Sequence, residues 1–317
     1  MNTTRRIVTG LILLAISLPV LAAYAGCGQS PAASSAAPAQ AAAEDRVEYG
    51  SLQSSALGRE LRYAVQLPAS YDKDKSRQYP VLYFLHGMNG TEGDFQKRGV
   101  ASAVSRLRQS GKIGEFIIVA PAGENSFYIN SKNGLRYEDA IIKDLIPHIE
   151  KSYRAVGKSE GRAIQGISMG GFGALSLAFR HPEMFSSVTA HSSALFEALP
   201  NPTGTDRRSQ FMSRMIGNMY GSPPDEEYFR SYNPISLAES NAAAIKKAGL
   251  KIYFDVGDHD RYGFQTSNKA LDERLSGTGI AHEFHVFPGD HGWEYMISVA
   301  DRSYDFLWKH FKAGSKT

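Results

Sequence analysis

The sequence has a single cysteine and almost no excess of either charge. Because Cys27 is alone, the chain can form neither an intrachain disulfide bond nor a cysteine-based metal cluster. Its 35 basic and 32 acidic side chains give a formal net charge of +3, which provides no electrostatic basis for binding nucleic acid. The composition, 42% hydrophobic and 21% charged, is ordinary for a globular protein. These values exclude a disordered chain, a collagen and a polytopic membrane protein.

Charged residues are also absent from the long stretch between Arg6 and Glu44. Arg5 and Arg6 precede an apolar run that ends in small residues, which is the pattern of a secretory signal. A permanent membrane anchor is the alternative, and Pro19 together with the small residues that follow it favours cleavage instead. We therefore expect residues 1–26 to be a signal peptide that directs export.

Two processing routes fit the end of this signal. Residues 23–25 read Ala-Tyr-Ala and fit the A-x-A rule for release into the periplasm or medium. Residues 25–27 resemble the lipobox of bacterial lipoproteins, although Tyr24 stands where that pattern prefers an aliphatic residue. Lipidation is favoured because Cys27 is the only cysteine and begins a low-complexity tether, residues 27–45, in which sixteen consecutive residues are Gly, Gln, Ser, Pro or Ala. We expect a membrane-anchored lipoprotein facing the periplasm or the cell exterior, with a released periplasmic or secreted protein as the alternative.

Residues 46–313 have the pattern of one α/β domain. Alternating apolar and polar residues over 47–67 predict an antiparallel strand pair, and short apolar runs that alternate with helical patterns predict a mostly parallel sheet flanked by helices. The long polar segment 195–248 is expected to be a helical insertion over the sheet edge. The predicted strands are 81–85, 116–120, 163–167, 188–190, 252–256 and 283–287, and the predicted helices are 100–109, 137–153, 172–180, 265–275 and 293–311.

A candidate nucleophile lies between a predicted strand and a predicted helix. Residues 166–170 read Gly-Ile-Ser-Met-Gly and match G-x-S-x-G. A sharp strand-to-helix turn lifts a serine above the sheet, and its glycines permit the strained backbone and the close packing. The N-terminus of the following helix also favours developing negative charge. The sequence therefore predicts Ser168 as the nucleophile of acyl transfer.

A serine nucleophile needs a base and an acid, which follow it in the order Ser, Asp, His in α/β-hydrolases. His291 lies in a Gly-Asp-His-Gly loop after the last predicted strand, so we predict it to be the base. Three aspartates are available near the end of the preceding strand. Asp255 lies within the strand, whereas Asp258 and Asp260 both lie in the loop, and spacing from the residues alone does not choose between these two.

Six short motifs occur in order along the domain, namely Tyr83–Gly87, Ser126–Tyr128, Tyr137–Asp139, Gly166–Gly171, Gly257–Asp260 and Gly289–Gly292. Together they resemble the putative-esterase family of α/β-hydrolases, which includes feruloyl esterases, esterase D (S-formylglutathione hydrolase), enterochelin esterases and the antigen 85 mycolyltransferases. The resemblance selects Asp260 as the acid and the backbone N–H groups of Met88 and Met169 as the oxyanion hole. Tyr128 and Glu138 are candidates for substrate binding, and the alternative for Tyr128 is a packed loop tyrosine. Glu138 also resembles a family residue that braces the site, and a solvated carboxylate is its other alternative.

The function implied by this resemblance is that of an exported serine esterase acting on acyl or feruloyl esters of carbohydrates, with small-molecule or carbohydrate esters as its partners. Two alternatives remain open, namely transfer of the acyl group to a sugar acceptor and a non-catalytic binding protein on the same fold. The chain has no metal-binding or nucleotide-binding motif, so we expect neither a metal nor another cofactor. We also expect membrane association only through lipid at Cys27.

Overall fold

The predicted strands are confirmed, and they form one mixed sheet among the residues that the structure describes. The computed structural model of the protein describes residues 45–311, except the side chain of residue 208. The predicted signal peptide, Cys27 and nearly all of the tether lie outside the described residues. The strands are β1 (Arg46–Ser54), β2 (Arg59–Leu67), β3 (Val81–Leu85), β4 (Ile117–Pro121), β5 (Arg162–Ile167), β6 (Ser187–His191), β7 (Lys251–Gly257) and β8 (Glu283–Phe287).

The order of strands across the sheet is β1-β2-β4-β3-β5-β6-β7-β8. The β1–β2 and β2–β4 pairs are antiparallel, and all pairs from β4–β3 to β7–β8 are parallel. Strands β3 and β4 are buried along their whole length, as their continuous apolar sequences predict, and β6 is equally buried although it contains Ser187, Thr189 and His191. Because the carboxyl ends of parallel strands meet at one edge of the sheet, the loops after β3, β5, β7 and β8 converge there.

Helices cover both faces of the sheet, and each face has its own apolar core. The helix predicted over 137–153 contains a π-helical segment, Ala140–Leu145, because Pro147 has no N–H to donate to the turn before it. The α-helices are α1 (Asp94–Lys97), α2 (Val100–Gln109), α3 (Tyr137–Asp139), α4 (Ile146–Ser152), α5 (Met169–Arg180), α6 (Arg207–Tyr220), α7 (Glu226–Arg230), α8 (Pro234–Ser240), α9 (Ala242–Ala248), α10 (Phe264–Gly277), α11 (Trp293–Ser298) and α12 (Ala300–His310).

The insertion between β6 and β7 is helical, as predicted, and consists of α6 to α9. Helix α8 packs against α5 and α10, and these two helices contact β5, β6 and β7 inside the sheet. Helix α8 of the insertion therefore forms an outer layer above one face of the sheet. Among the described residues, no helix combines the length and apolar character needed to span a membrane.

Candidate active site

Ser168 occupies a strained turn between β5 and α5. Its backbone has φ 58° and ψ −118°, a conformation that non-glycine residues rarely adopt. The turn is tight because a Cβ atom on Gly166 would overlap the carbonyl oxygen of Gly170, and one on Gly170 would overlap that of Leu85. The Ser168 N–H donates to the carbonyl of His191 at 2.9 Å, which ties the turn to the end of β6. This geometry is that of the predicted nucleophile elbow.

The three residues predicted to act together are in contact. Ser168 Oγ lies 2.9 Å from His291 Nε2, and His291 Nδ1 lies 2.7 Å from Asp260 Oδ2. The Asp260 side chain is fully buried, and the His291 side chain is 10% exposed. Because the carboxylate accepts the proton on Nδ1, the Nε2 lone pair faces the serine hydroxyl. The arrangement can remove the proton from Ser168 as its oxygen attacks an electrophile.

The two candidate acids in the loop after β7 have different contacts. Asp260 Oδ1 accepts the N–H of Tyr262 at 2.9 Å, which leaves Oδ2 aimed at His291. Asp258 is 39% exposed and accepts the N–H of Gly289 at 2.9 Å. That bond, followed by the contact with His259, lowers the pKa of Asp258. Asp258 therefore braces the loop that leads to His291 and does not contact the imidazole itself.

A second carboxylate holds the loop of His291 against the loop of Asp260. Asp290 Oδ1 accepts the N–H of His291 at 2.6 Å and that of Arg261 at 2.9 Å. The Arg261 guanidinium also pairs with Asp290, and this pairing, with the backbone bonds, holds the pKa of Asp290 well below its usual value. The base and the acid are thus carried by two loops that are joined to each other.

The two residues predicted to form the oxyanion hole line the same pocket as Ser168. Met169 is the first residue of α5, so its N–H has no acceptor within the helix. Met88 lies in the loop after β3 and lines the same pocket as Ser168. Asn89 and Asn125 fix this loop through a reciprocal pair of hydrogen bonds, from Asn89 N–H to Asn125 Oδ1 at 2.7 Å and from Asn125 Nδ2 to Asn89 Oδ1 at 2.9 Å.

His86 holds the same loop and is not placed to act as a second base. Its Nε2 accepts the N–H of Gly123 at 2.8 Å, and its Nδ1 donates to the carbonyl of Gly87 at 2.7 Å. Burial lowers the pKa of His86, and the acceptor role of Nε2 requires the neutral ring. His86 is the structural histidine that the sequence predicted.

An apolar pocket of about 700 Å³ opens beside Ser168. Aromatic and sulfur-containing side chains dominate its wall, and none of its described lining residues is acidic, lysine or arginine. The ring of Tyr262 stands edge-on to the His291 imidazole, with centroids 4.8 Å apart. The pocket therefore suits a flat or apolar acyl group. Its apolar lining includes Met88, Phe127, Phe196, Phe211, Met212, Phe264 and Trp293.

The expectation that Tyr128 lines the pocket is wrong, and its neighbour takes that place. Tyr128 is fully buried, and its hydroxyl donates to the carbonyl of His86 at 3.2 Å. Phe127 and Tyr128 both have positive φ, 53° and 59°. This unusual backbone turns Phe127 toward the pocket and Tyr128 behind the loop after β3.

Glu138 does not line the pocket either, so the structure does not place it to bind substrate there, and its contacts are those of the bracing residue that the resemblance implied. The side chain is 4% exposed, and its carboxylate interacts with Arg180 Nε at 2.7 Å, His181 Nε2 at 2.8 Å and the Tyr232 hydroxyl at 2.9 Å. Asn130 adds a fourth contact at 3.1 Å. Glu138 instead joins the start of α3 to the end of α5 and to the insertion.

Sequence reasoning missed a buried polar cluster beneath the nucleophile. His191 ends β6, and its Nδ1 lies 3.0 Å from both carboxylate oxygens of Asp255, its neighbour in β7. The Tyr295 hydroxyl donates to the same carboxylate at 2.9 Å, and all three residues are buried. The cluster connects β6, whose His191 carbonyl accepts the Ser168 N–H, to α11, the helix that follows His291. A histidine and an aspartate near the ends of two buried strands were the available signal.

The described residues contain no cluster of three or more His, Cys, Asp or Glu side chains that could hold a metal ion. The contacts that join Ser168, His291 and Asp260 are those of acyl transfer by a serine nucleophile. Residues 54–299 match the family model described as Putative esterase. The chain belongs to this family of α/β-hydrolases.

Several known proteins are similar to this family member. Esterase Rv1288 of Mycobacterium tuberculosis (strain H37Rv) is 32% identical over 265 residues, which cover 78% of this chain and 56% of the relative. An endo-1,4-beta-xylanase/feruloyl esterase of Xylanibacter ruminicola is 33% identical over 242 residues, covering 72% of this chain and 31% of the relative. The chain thus spans about half or less of the length of these relatives.

A solved structure of a ferulic acid esterase has the same fold. It superimposes with a TM-score of 0.73 at 30% sequence identity, covering 85% of this chain and 99% of the other. The agreement includes the mostly parallel sheet and the helices on its faces. The overall architecture is therefore that of an α/β-hydrolase esterase.

Proposed function

We propose that the protein is an exported serine carboxylic-ester hydrolase that cleaves feruloyl or other acyl esters of carbohydrates through an acyl-enzyme. The observation that carries this proposal is the hydrogen-bonded series Ser168–His291–Asp260 beside an apolar pocket. A buried carboxylate that orients the histidine is needed for catalysis by a serine nucleophile. A binding protein on the same fold would need neither the serine, nor the histidine, nor the carboxylate in this arrangement.

In the proposed reaction, Ser168 Oγ attacks the ester carbonyl while His291 Nε2 accepts its proton. Asp260 holds the imidazole in the required tautomer and stabilises the imidazolium. The N–H groups of Met169 and Met88 stabilise the tetrahedral oxyanion. His291 then protonates the departing alcohol oxygen. Water attacks the acyl-enzyme by the same route, which releases the carboxylic acid and restores Ser168.

Three observations support the choice of substrate. The pocket wall is rich in aromatic rings and lacks charged side chains among the described lining residues, which suits a feruloyl group better than a charged acyl group. The similar proteins include one named a feruloyl esterase and one named a ferulic acid esterase. The signal peptide expected from the sequence supports export, and an exported enzyme would meet carbohydrate esters rather than glutathione thioesters.

The test is turnover of p-nitrophenyl acetate and methyl ferulate by the wild type and by Ser168→Ala. The mutation should lower kcat by about 10⁴- to 10⁶-fold, because it removes the nucleophile. A serine-directed phosphonate should label the wild type and leave the variant unlabelled. Full labelling of Ser168→Ala would contradict the assignment, and a wild type without turnover would favour the non-catalytic alternative.

A sugar acceptor added to the assay distinguishes hydrolysis from acyl transfer, because hydrolysis yields the free carboxylic acid and acyl transfer yields an acylated sugar.

A further inference from the structure

A second cavity, of about 420 Å³, adjoins the apolar pocket. Phe211 lines both cavities, and Asn125 in the second is hydrogen-bonded to Asn89 in the first. Ser126 in the second is followed directly by Phe127 in the first. We call this second cavity the polar groove. A shared lining residue, a hydrogen bond and a pair of consecutive residues therefore show that the polar groove is next to the pocket that contains Ser168.

The polar groove differs from the apolar pocket in the groups it presents. Asparagine side chains at three positions, Asn125, Asn133 and Asn218, line it together with Arg214. Asn218 and Arg214 are exposed, and the structure gives their side chains no hydrogen-bond or ion-pair partner among the described residues. The Asn218 amide and the Arg214 guanidinium therefore have bonding capacity left for a ligand in this groove.

The groove also has an apolar side and little net charge. Leu135, Met215 and Met219 contribute apolar surface to its lining. The acidic lining residue, Glu124, is paired with Arg59 at 2.7 Å, and Arg214 is the only cationic residue among the described lining. A phosphate or sulfate would need more positive charge than this. Neutral amides beside an apolar surface suit a sugar ring, which has hydroxyls at its edge and C–H groups on its faces.

We propose that the polar groove binds the sugar of the ester's alcohol portion, while the apolar pocket binds the acyl group. An ester held at Ser168 must extend its acyl and alcohol portions in different directions, and the two connected cavities provide two such directions with opposite polarity. This inference rests on the proposed function. It adds the location of the sugar site and the residues that contact it.

The experiment compares kcat/KM for feruloyl arabinose with that for methyl ferulate, whose methyl group cannot reach the groove. Arg214→Ala and Asn218→Ala should each lower the ratio of the two values about five- to tenfold, the effect of losing one or two hydrogen bonds. The loss should appear mainly in KM for the sugar ester. The matched control is Arg230→Ala, which removes an exposed guanidinium from a different cavity and should leave the ratio within about twofold.

The outcomes separate this inference from the function on which it rests. If wild type cleaves methyl ferulate but the ratio is the same in Arg214→Ala and Asn218→Ala as in Arg230→Ala, the sugar site is overturned and the esterase proposal stands. If wild type cleaves neither ester, the feruloyl esterase proposal fails and the sugar site fails with it. A ratio that falls only in the two groove variants supports the assignment.

Discussion

At the scale of single residues, replacing Asp by Asn should affect kcat very differently at the two positions after β7, 258 and 260. Asp260→Asn should keep the shape of the site but favour the wrong imidazole tautomer, which costs about 10⁴ in kcat in other triads. Asp258→Asn retains an oxygen that can accept the Gly289 N–H, so its loss should be much smaller. Steady-state kinetics on p-nitrophenyl acetate measures both. The reverse ranking would move the acid to Asp258.

The residues of the site differ in how far the sequence could predict them. Ser168 and His291 stand in short motifs whose spacing relative to the strands is set by the chemistry, whereas Asp260 was selected over Asp258 only by family resemblance. Tyr128 was placed wrongly because two consecutive residues with positive φ reverse which side chain faces the pocket. Such a backbone conformation depends on the packing of the surrounding loops, and neither residue type signals it.

At the scale of elements, Glu138 connects the start of α3 to the end of α5 and the insertion, so its charge should matter for stability. Glu138→Gln removes the carboxylate that faces Arg180 and should lower the free energy of unfolding at pH 7 by about 1.5–3 kcal/mol, the range for hydrogen bonds to charged groups. Chemical denaturation measures this difference. The control, Glu226→Gln, removes an exposed charge paired within α7 and should change stability by less than about 0.5 kcal/mol.

The difference in stability between the wild type and Glu138→Gln should depend on pH. Burial alone would raise the pKa of Glu138, but hydrogen bonds from His181 and Arg180 outweigh it and leave that pKa lowered. A lowered carboxylate pKa adds stability above the unfolded value of about 4.3, and this stability is lost as pH falls through the folded pKa. The difference between wild type and Glu138→Gln should therefore be complete at neutral pH and shrink below about pH 4. A difference that grows with acid would contradict this account.

The elements themselves were largely predictable because their apolar patterns are strong. The bounds of β3, α2 and β8 agree with the predictions. The helix predicted over 293–311 is divided at Val299, whose φ of −108° and ψ of 4° end α11, yet the apolar spacing continues across the break. The packing partners of each helix in the insertion could not be predicted, because hydrophobic spacing shows that a helix buries one face and does not show which surface it covers.

At the scale of the whole molecule, the proposal of export and lipidation concerns a segment outside the described residues. If Cys27 carries lipid, the full-length protein made in a bacterium should partition into detergent, and several acyl chains would hold it stably. The sixteen consecutive Gly, Gln, Ser, Pro or Ala residues after Cys27 have the composition of a tether, and a coil of that length spans about 20–24 Å. Cys27→Ala should then be soluble and fully active on p-nitrophenyl acetate. A soluble wild-type protein beginning at Gly26 with a free thiol would instead establish cleavage after Ala25.

Ser168 and His291 touch in space but lie 123 residues apart along the chain. During synthesis the ribosome therefore completes β5 and the elbow long before it adds β8 and the loop with the base. The serine of a nascent chain has no partner to remove its proton, so it should neither cleave esters nor react with phosphonates. Pairing of β8 with β7 at the sheet edge brings His291 into place. Ser168 therefore gains its base only once β8 has joined the sheet, so ester cleavage reports on completion of the fold.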